Sequence, residues 1–287
     1  MLRALGRRPN GQSEASSNGG SVRRIDVPGM IGLFGLLMIT ATAAFPQLFM
    51  QYDPQLRVGP ALLPPSIMHP FGTDEIGRDL FSRVVLGIRF TWLPGMAIIG
   101  ASFVVGTAIG LVSGFVGGWL DAVLRRVTDV FLMVPSMLFA IAFAAVLGPG
   151  VENSVIAIAV CWWPWYAWIA RDEVRRILAS PHYLGARVSG ASRSRLVFRY
   201  ALPGVVPALI VAAGVDVSNV VMTLSLMSFL GLGQPDPAPE LGALVSRSLD
   251  SLTMFWWLPI LPSVAIFLIC FLANLFADGV RHALRGR

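Results

Sequence analysis

The chain has 287 residues, 55% of them hydrophobic and only 13% charged. Soluble domains carry about a quarter charged residues, so a single soluble core is excluded and a lipid bilayer must be the solvent for much of the chain. The net charge of +6 does not point to nucleic acid, because the arginines lie between apolar runs and not on one soluble face.

All 22 basic residues are arginine. Residues 1–26 are polar, Gly/Ser-rich and basic, and are read as a mostly disordered tail. A charge-free run, Val27–Met50, follows. It is read as a first transmembrane helix and not as a cleaved signal peptide, because its leader is long and its apolar stretch exceeds a typical signal core. Residues 51–89 form a polar segment. Within it His69, Gly72, Thr73, Asp74, Gly77, Arg78 and Asp79 make a glycine-containing junction beside the membrane. Arg78 is placed to fork onto Asp74 or Asp79, and such a knot would fix the angle of the next helix. A catalytic reading of His69 with Asp74 and Asp79 is set aside in favour of this structural one.

The second span, Phe90–Leu120, is charge-free and longer than a span requires. Gly106, Gly110, Gly114 and Gly118 recur in it every four residues, which places them on one helix face and predicts a close helix seam. Val130–Val151 and Asn153–Ala170 are the third and fourth spans, joined by Gly148-Pro149-Gly150 as an antiparallel hairpin. Cys161 and Cys270 fall inside apolar stretches and are read as small buried residues, not as a disulfide. Ala201–Gly233 is interrupted only by Asp216, and Ser251–Ala277 is charge-free, which makes six spans. Lipid-facing backbone must be hydrogen-bonded internally and strand patterning is absent, so the fold class is all-α integral membrane. Residues 279–287 form a short tail.

Orientation follows from the arginines near span ends. With the N-terminus inside, interior segments hold 17 arginines and exterior ones five. Both termini and residues 171–200 are therefore expected on the cytoplasmic side, and residues 53–80 and 234–250 outside. The 171–200 loop carries seven arginines. Apolar residues at helical spacing flank Gly190, which predicts two short helices with a turn there. On pattern alone this is equally an amphipathic stretch on anionic lipid or a docking element for a cytoplasmic partner.

The stretch YLGARVSGASRSRLVFRYALPG resembles the cytoplasmic loop of binding-protein-dependent ABC importer permeases. That family's loop reads Glu-Ala-Ala, then a glycine, then a proline near the next span. Ala186, Gly190 and Pro203 match, while Leu184 stands where the family usually has glutamate and Gly185 where it has alanine. The segments HPFGTDEIGRDLFSRVVLGIR, GGWLDAVLRRVTDVFLMVPSMLFAI, SFLGLGQPDPAPELGALV and NLFADGVRHAL are similar to the second, C-type permease of the dipeptide, oligopeptide and nickel systems.

The resemblance implies a type I importer permease core over residues 90–278, with a docking surface formed by Tyr183, Leu184, Gly185, Ala186, Arg187, Gly190, Ala191, Ser192 and Pro203. It also implies the partners: a second, homologous permease, two ATPase subunits and an extracytoplasmic substrate-binding protein. No phosphate-binding loop of the G-x-x-x-x-G-K-[ST] kind is present, and no lysine could complete one. ATP and Mg are therefore expected only on separate ATPase subunits, with no cofactor and no metal on this chain. The implied cargo is a short peptide, with a nickel chelate as the alternative. An ion-coupled secondary transporter or a membrane scaffold is the alternative of another class, yet only Asp216 supplies a charge deep in a span. Asp216 and Asn219, three residues apart, share a helix face. They are candidates for the substrate path, where the carboxylate would meet a peptide amino group, or for a buried structural contact.

Overall fold

The computed structural model describes residues 27–235 and 237–285. The expected tail 1–26 and the last two residues of the tail 279–287 lie outside them. Among the described residues the chain is helical, with no strand beyond isolated bridges at Arg57–Arg78 and Thr73–Asp79.

Helix α1 spans Val27–Ala44 and ends six residues earlier than the apolar run. Pro46 explains this: the residue before a proline is driven out of the helical region, and Phe45 sits at φ −126°, ψ 60°. Helix α2, Leu80–Val116, has 37 residues. At ~1.5 Å per residue it is longer than a ~30 Å hydrocarbon core. It therefore starts inside the polar junction, ten residues before the expected span. Asp79 caps it by accepting a hydrogen bond from the Ser82 backbone N–H.

The expected third span is not straight. Helix α3, Gly118–Met133, and helix α4, Ser136–Leu147, meet at 87°. Val134, extended at ψ 134° ahead of Pro135, is the cause. Helix α5, Val151–Leu178, continues eight residues beyond the expected span and takes residues 171–178 out of the loop. Two short helices follow, α6 at Pro181–Val188 and α7 at Arg193–Leu196. A widened π turn, Val197–Ala201, then runs into helix α8, Leu202–Phe229. Pro203, which has no N–H to continue the ladder, lies just past this widening. Helix α9, Leu241–Ser248, is short, and its Leu241, Gly242, Ala243 and Leu244 are buried. Helix α10, Trp257–Arg285, closes the chain.

Among the described residues four helices are long and apolar enough to cross a membrane, or five if α3 and α4 form one broken span. The sixth expected stretch is α5. It is long enough, but Trp162, Trp163, Trp165, Tyr166 and Trp168 dilute its hydropathy. α1 packs along α10, and α8 packs against α2, α5 and α10.

The most extensive helix pair is α2 with α5, and glycine makes it. A Cβ on Gly106 would lie 2.5 Å from the Trp163 carbonyl oxygen, and one on Gly110 2.5 Å from that of Ala167. One on Gly114 would lie 2.6 Å from a Val174 methyl. The fourth glycine of the expected seam does not belong to it. Gly118 lies beyond the end of α2 at φ 60° with open space around it, so it serves the turn into α3.

Gly110→Val drives a side chain into α5 backbone, which cannot yield, so we expect a loss of ~2 kcal/mol or more. Gly100, exposed on the same helix with nothing near its missing Cβ, is the control. Thermal unfolding of both valine variants in detergent tests this. Equal stabilities would mean that the helices are not in close contact.

Candidate functional site

The polar junction is a closed network. Asp74 accepts from the backbone N–H of Ile76 and of Arg78 at 3.1 and 2.8 Å, and from Arg78 Nε at 2.7 Å. Arg83, 1% exposed, reaches the same carboxylate at 3.5 Å and donates to the Pro54 carbonyl at 3.2 Å. Asp79 is not shared with Arg78. It holds His69 Nδ1 at 2.9 Å and the Ser82 hydroxyl at 2.7 Å. The Thr73 hydroxyl donates to the Pro60 carbonyl at 2.8 Å and accepts from the Leu63 N–H at 2.9 Å. Gly72 and Gly77 sit at φ 76° and 86°. Each polar group is thus spent on loop backbone or on the start of α2. Arg83 was not singled out in the sequence, because it reads there as one more arginine at a span end.

At the opposite end, Ser180 caps α6 and Ser192 caps α7. Gly190 stands between them at φ 79°. Its N–H donates to the Arg187 carbonyl, and the Ala191 N–H donates to that of Ala186. This pair of bonds closes a helix end with a left-handed residue, a role glycine fills without strain. Tyr183 is buried and meets the ring of Phe115 on α2 at a centroid distance of 6.3 Å. Leu184, Val188 and Phe198 are exposed. The turn therefore presents an apolar face away from the bundle while Tyr183 anchors it. Gly185 has open space around it, so the alanine usual at that position would fit.

Between these ends lies a cavity of about 490 Å³. Leu132 of α3, Ser136 of α4, Trp162 and Trp165 of α5, and Asp216 and Asn219 of α8 help to line it. Asn219 Nδ2 donates to Asp216 Oδ1 at 3.4 Å, so the two side chains do share a face. Asp216 is 5% exposed and is faced by Tyr166 and Trp162; among the described residues neither its Oδ2 nor the Tyr166 hydroxyl reaches a partner in good hydrogen-bond geometry. A buried polar pair of this kind is costly unless a guest or water satisfies it.

Glu240 carries no local sequence signal either. It precedes α9, is 5% exposed, and accepts from the Gln234 N–H at 2.9 Å. Burial raises its pKa above the ordinary 4.5, opposed by hydrogen bonding from Ser228 and Gln234 and by the charge of Arg247. The folded state therefore favours the protonated acid. The stability this gives is fully present below the ordinary value and is lost as pH rises through the raised one. Glu240→Gln removes that loss. It is expected to raise the unfolding temperature at about pH 8 and to leave it near wild type at about pH 4. A variant equally or less stable than wild type at the higher pH would contradict this.

Residues 106–287 match the family model for the binding-protein-dependent transport system inner membrane component. A probable D,D-dipeptide transport system permease protein of Escherichia coli K12 is 38% identical over 78% of this chain and 75% of its own. A di/tripeptide transport system permease protein of Pseudomonas aeruginosa is 36% identical over 88% of this chain and 86% of its own. A nickel transport system permease protein of Escherichia coli K12 is 33% identical over 89% and 91%. Among solved structures, an amino acid ABC transporter chain aligns with a TM-score of 0.55 at 16% identity, over 71% of this chain and 94% of its own. An inward-facing methionine ABC transporter chain aligns at 0.53 and 20%, over 70% and 97%. These last two share the fold. The chain belongs to the family of inner-membrane permease components of binding-protein-dependent transport systems.

Proposed function

We propose that this permease carries short peptides inward, paired with a second permease and driven by ATP hydrolysed on separate ATPase subunits that bring their own Mg. The observation that carries the reading is identity with peptide permeases over most of both chains. The docking surface supports it: a capped helical turn on Gly190, with Leu184 and Val188 exposed beside it. An extracytoplasmic binding protein would deliver the peptide, and closure of the ATPase pair would swing the helices between outward- and inward-open arrangements. A nickel chelate is the second reading, favoured by the nickel permease relative.

Asp216 and Asn219 are proposed to line the path. Their cavity has a carboxylate oxygen that reaches no partner in good hydrogen-bond geometry among the described residues, and aromatic walls at Trp162 and Trp165. A peptide amino group is the guest that such a carboxylate fits. With Leu184 where the family usually has glutamate, this position offers a docking partner an exposed apolar side chain and no carboxylate.

Two variants separate docking from path. Gly190→Val strains the turn, and is expected to leave the protein in the membrane while weakening ATPase co-purification and peptide uptake by about tenfold. Asp216→Asn keeps shape while removing charge. It is expected to leave co-purification intact while reducing peptide uptake by a similar factor. Unchanged co-purification with Gly190→Val would reassign the loop to the lipid surface. Unchanged uptake with Asp216→Asn, or loss of assembly, would remove Asp216 from the path.

A further inference from the structure

Helix α3 is held to the bundle by very little apolar surface. Of its 16 residues only Asp121 and Thr128 are buried. Trp119, Val123, Val130 and Met133 are exposed. Both of its ends are breaks in the helix ladder. Gly117 precedes it and Gly118 opens it, at φ 65° and 60°, with nothing near their missing side chains. The Val134-Pro135 bend follows it at 87°. A helix with a joint at each end takes its position from whatever grips it in between.

Two contacts supply that grip: Phe131 meets the Trp163 ring of α5 at a centroid distance of 5.5 Å, and Asp121 makes the ionic one. Its Oδ1 accepts from the Ser113 hydroxyl at 2.5 Å and from Arg171 Nε at 2.6 Å. Its Oδ2 accepts from Arg171 Nη2 at 2.9 Å and from Arg175 Nη2 at 2.6 Å. Arg171 therefore forks onto the carboxylate with two parallel bonds, the most directional form of this contact. Ser113 belongs to α2. The two arginines stand one turn apart on the part of α5 that runs on to Leu178, two residues before Ser180 caps the docking turn. Asp121 and Arg171 are shielded while Arg175 is half exposed; a shielded ion pair gives little net stability over apolar packing, but removing one member leaves charge unmatched. It is thus suited to hold one register or to release it.

We propose that Asp121 is a positioning residue which ties α3 to α5, so that a displacement of the docking turn carries the broken α3–α4 segment with it. Leu132 and Ser136 wall the Asp216 cavity. Leu132 lies ~17 Å along α3 from Asp121 at ~1.5 Å per residue. Movement gripped at one end of α3 is therefore delivered to the cavity at the other. The proposal rests on the reading that residues 180–200 dock an ATPase.

Spin labels at Arg126 on α3 and Arg176 on α5, both exposed, report the grip in the full complex in nanodiscs. The expected wild-type distance distribution is narrow and unchanged by ATP. Asp121→Asn is expected to broaden it and to lower uptake roughly tenfold, with ATPase co-purification and hydrolysis persisting. Asp121→Glu, which keeps the charge, is expected to restore part of the uptake. A wild-type distance that changes with ATP, or an Asp121→Asn distribution that stays narrow, overturns the proposal. If Asp121→Asn does not assemble, Arg175→Gln, which leaves the Arg171 fork, is expected to broaden the distribution more mildly, and a narrow one overturns it. Absence of any ATPase on the unmodified chain would count against the transport reading instead, while the distances in the chain alone still test the grip.

Discussion

The contact of α2 with α5 is the constraint on which the rest of the structure depends. Side chains cannot separate these helices where Gly106 and Gly110 lie against the Trp163 and Ala167 carbonyls. In a bilayer the hydrophobic effect does not drive helices together, so dispersion contacts between closely approaching backbones must do so. Once α2 and α5 are fixed, three features follow. Trp162 and Tyr166 are aimed at Asp216 on α8. Arg171 and Arg175 are brought under Asp121. Tyr183, just past the end of α5, is brought against Phe115 near the end of α2.

Proline and left-handed glycine divide this bundle into rigid pieces. Pro46 stops α1, Pro135 folds the third span, and Gly190 turns the chain between α6 and α7. The end that holds the polar junction is densely bonded, because Asp74 and Asp79 each bind several partners from loop and helix at once. Toward the opposite end, α3 is held by Asp121 and by Phe131 against Trp163, and α6 by Tyr183 against Phe115.

Hydropathy made the apolar stretches legible, and with them the fold class, because a bilayer leaves the backbone almost no choice but helix. The glycine spacing located three of the four seam residues, and Gly190 stood out between two helical runs. The boundaries were less legible. Apolar content alone continues the first span past Pro46 and runs the third straight through Pro135. Charged residues made 171–178 look like loop, yet Arg171 and Arg175 face a carboxylate 50 and 54 residues away and stay helical. That partnership, like the burial of Arg83 and Glu240, arises only from packing between distant segments, and no local pattern marks it. Motif resemblance carried the functional reading further than periodicity did.

Uptake of a labelled dipeptide into vesicles containing this permease, its partner permease and the ATPase pair, with binding protein added outside, tests the central claim most directly. The account predicts accumulation that requires ATP inside the vesicle and persists when ion gradients are collapsed. Accumulation that follows an ion gradient without ATP would contradict it.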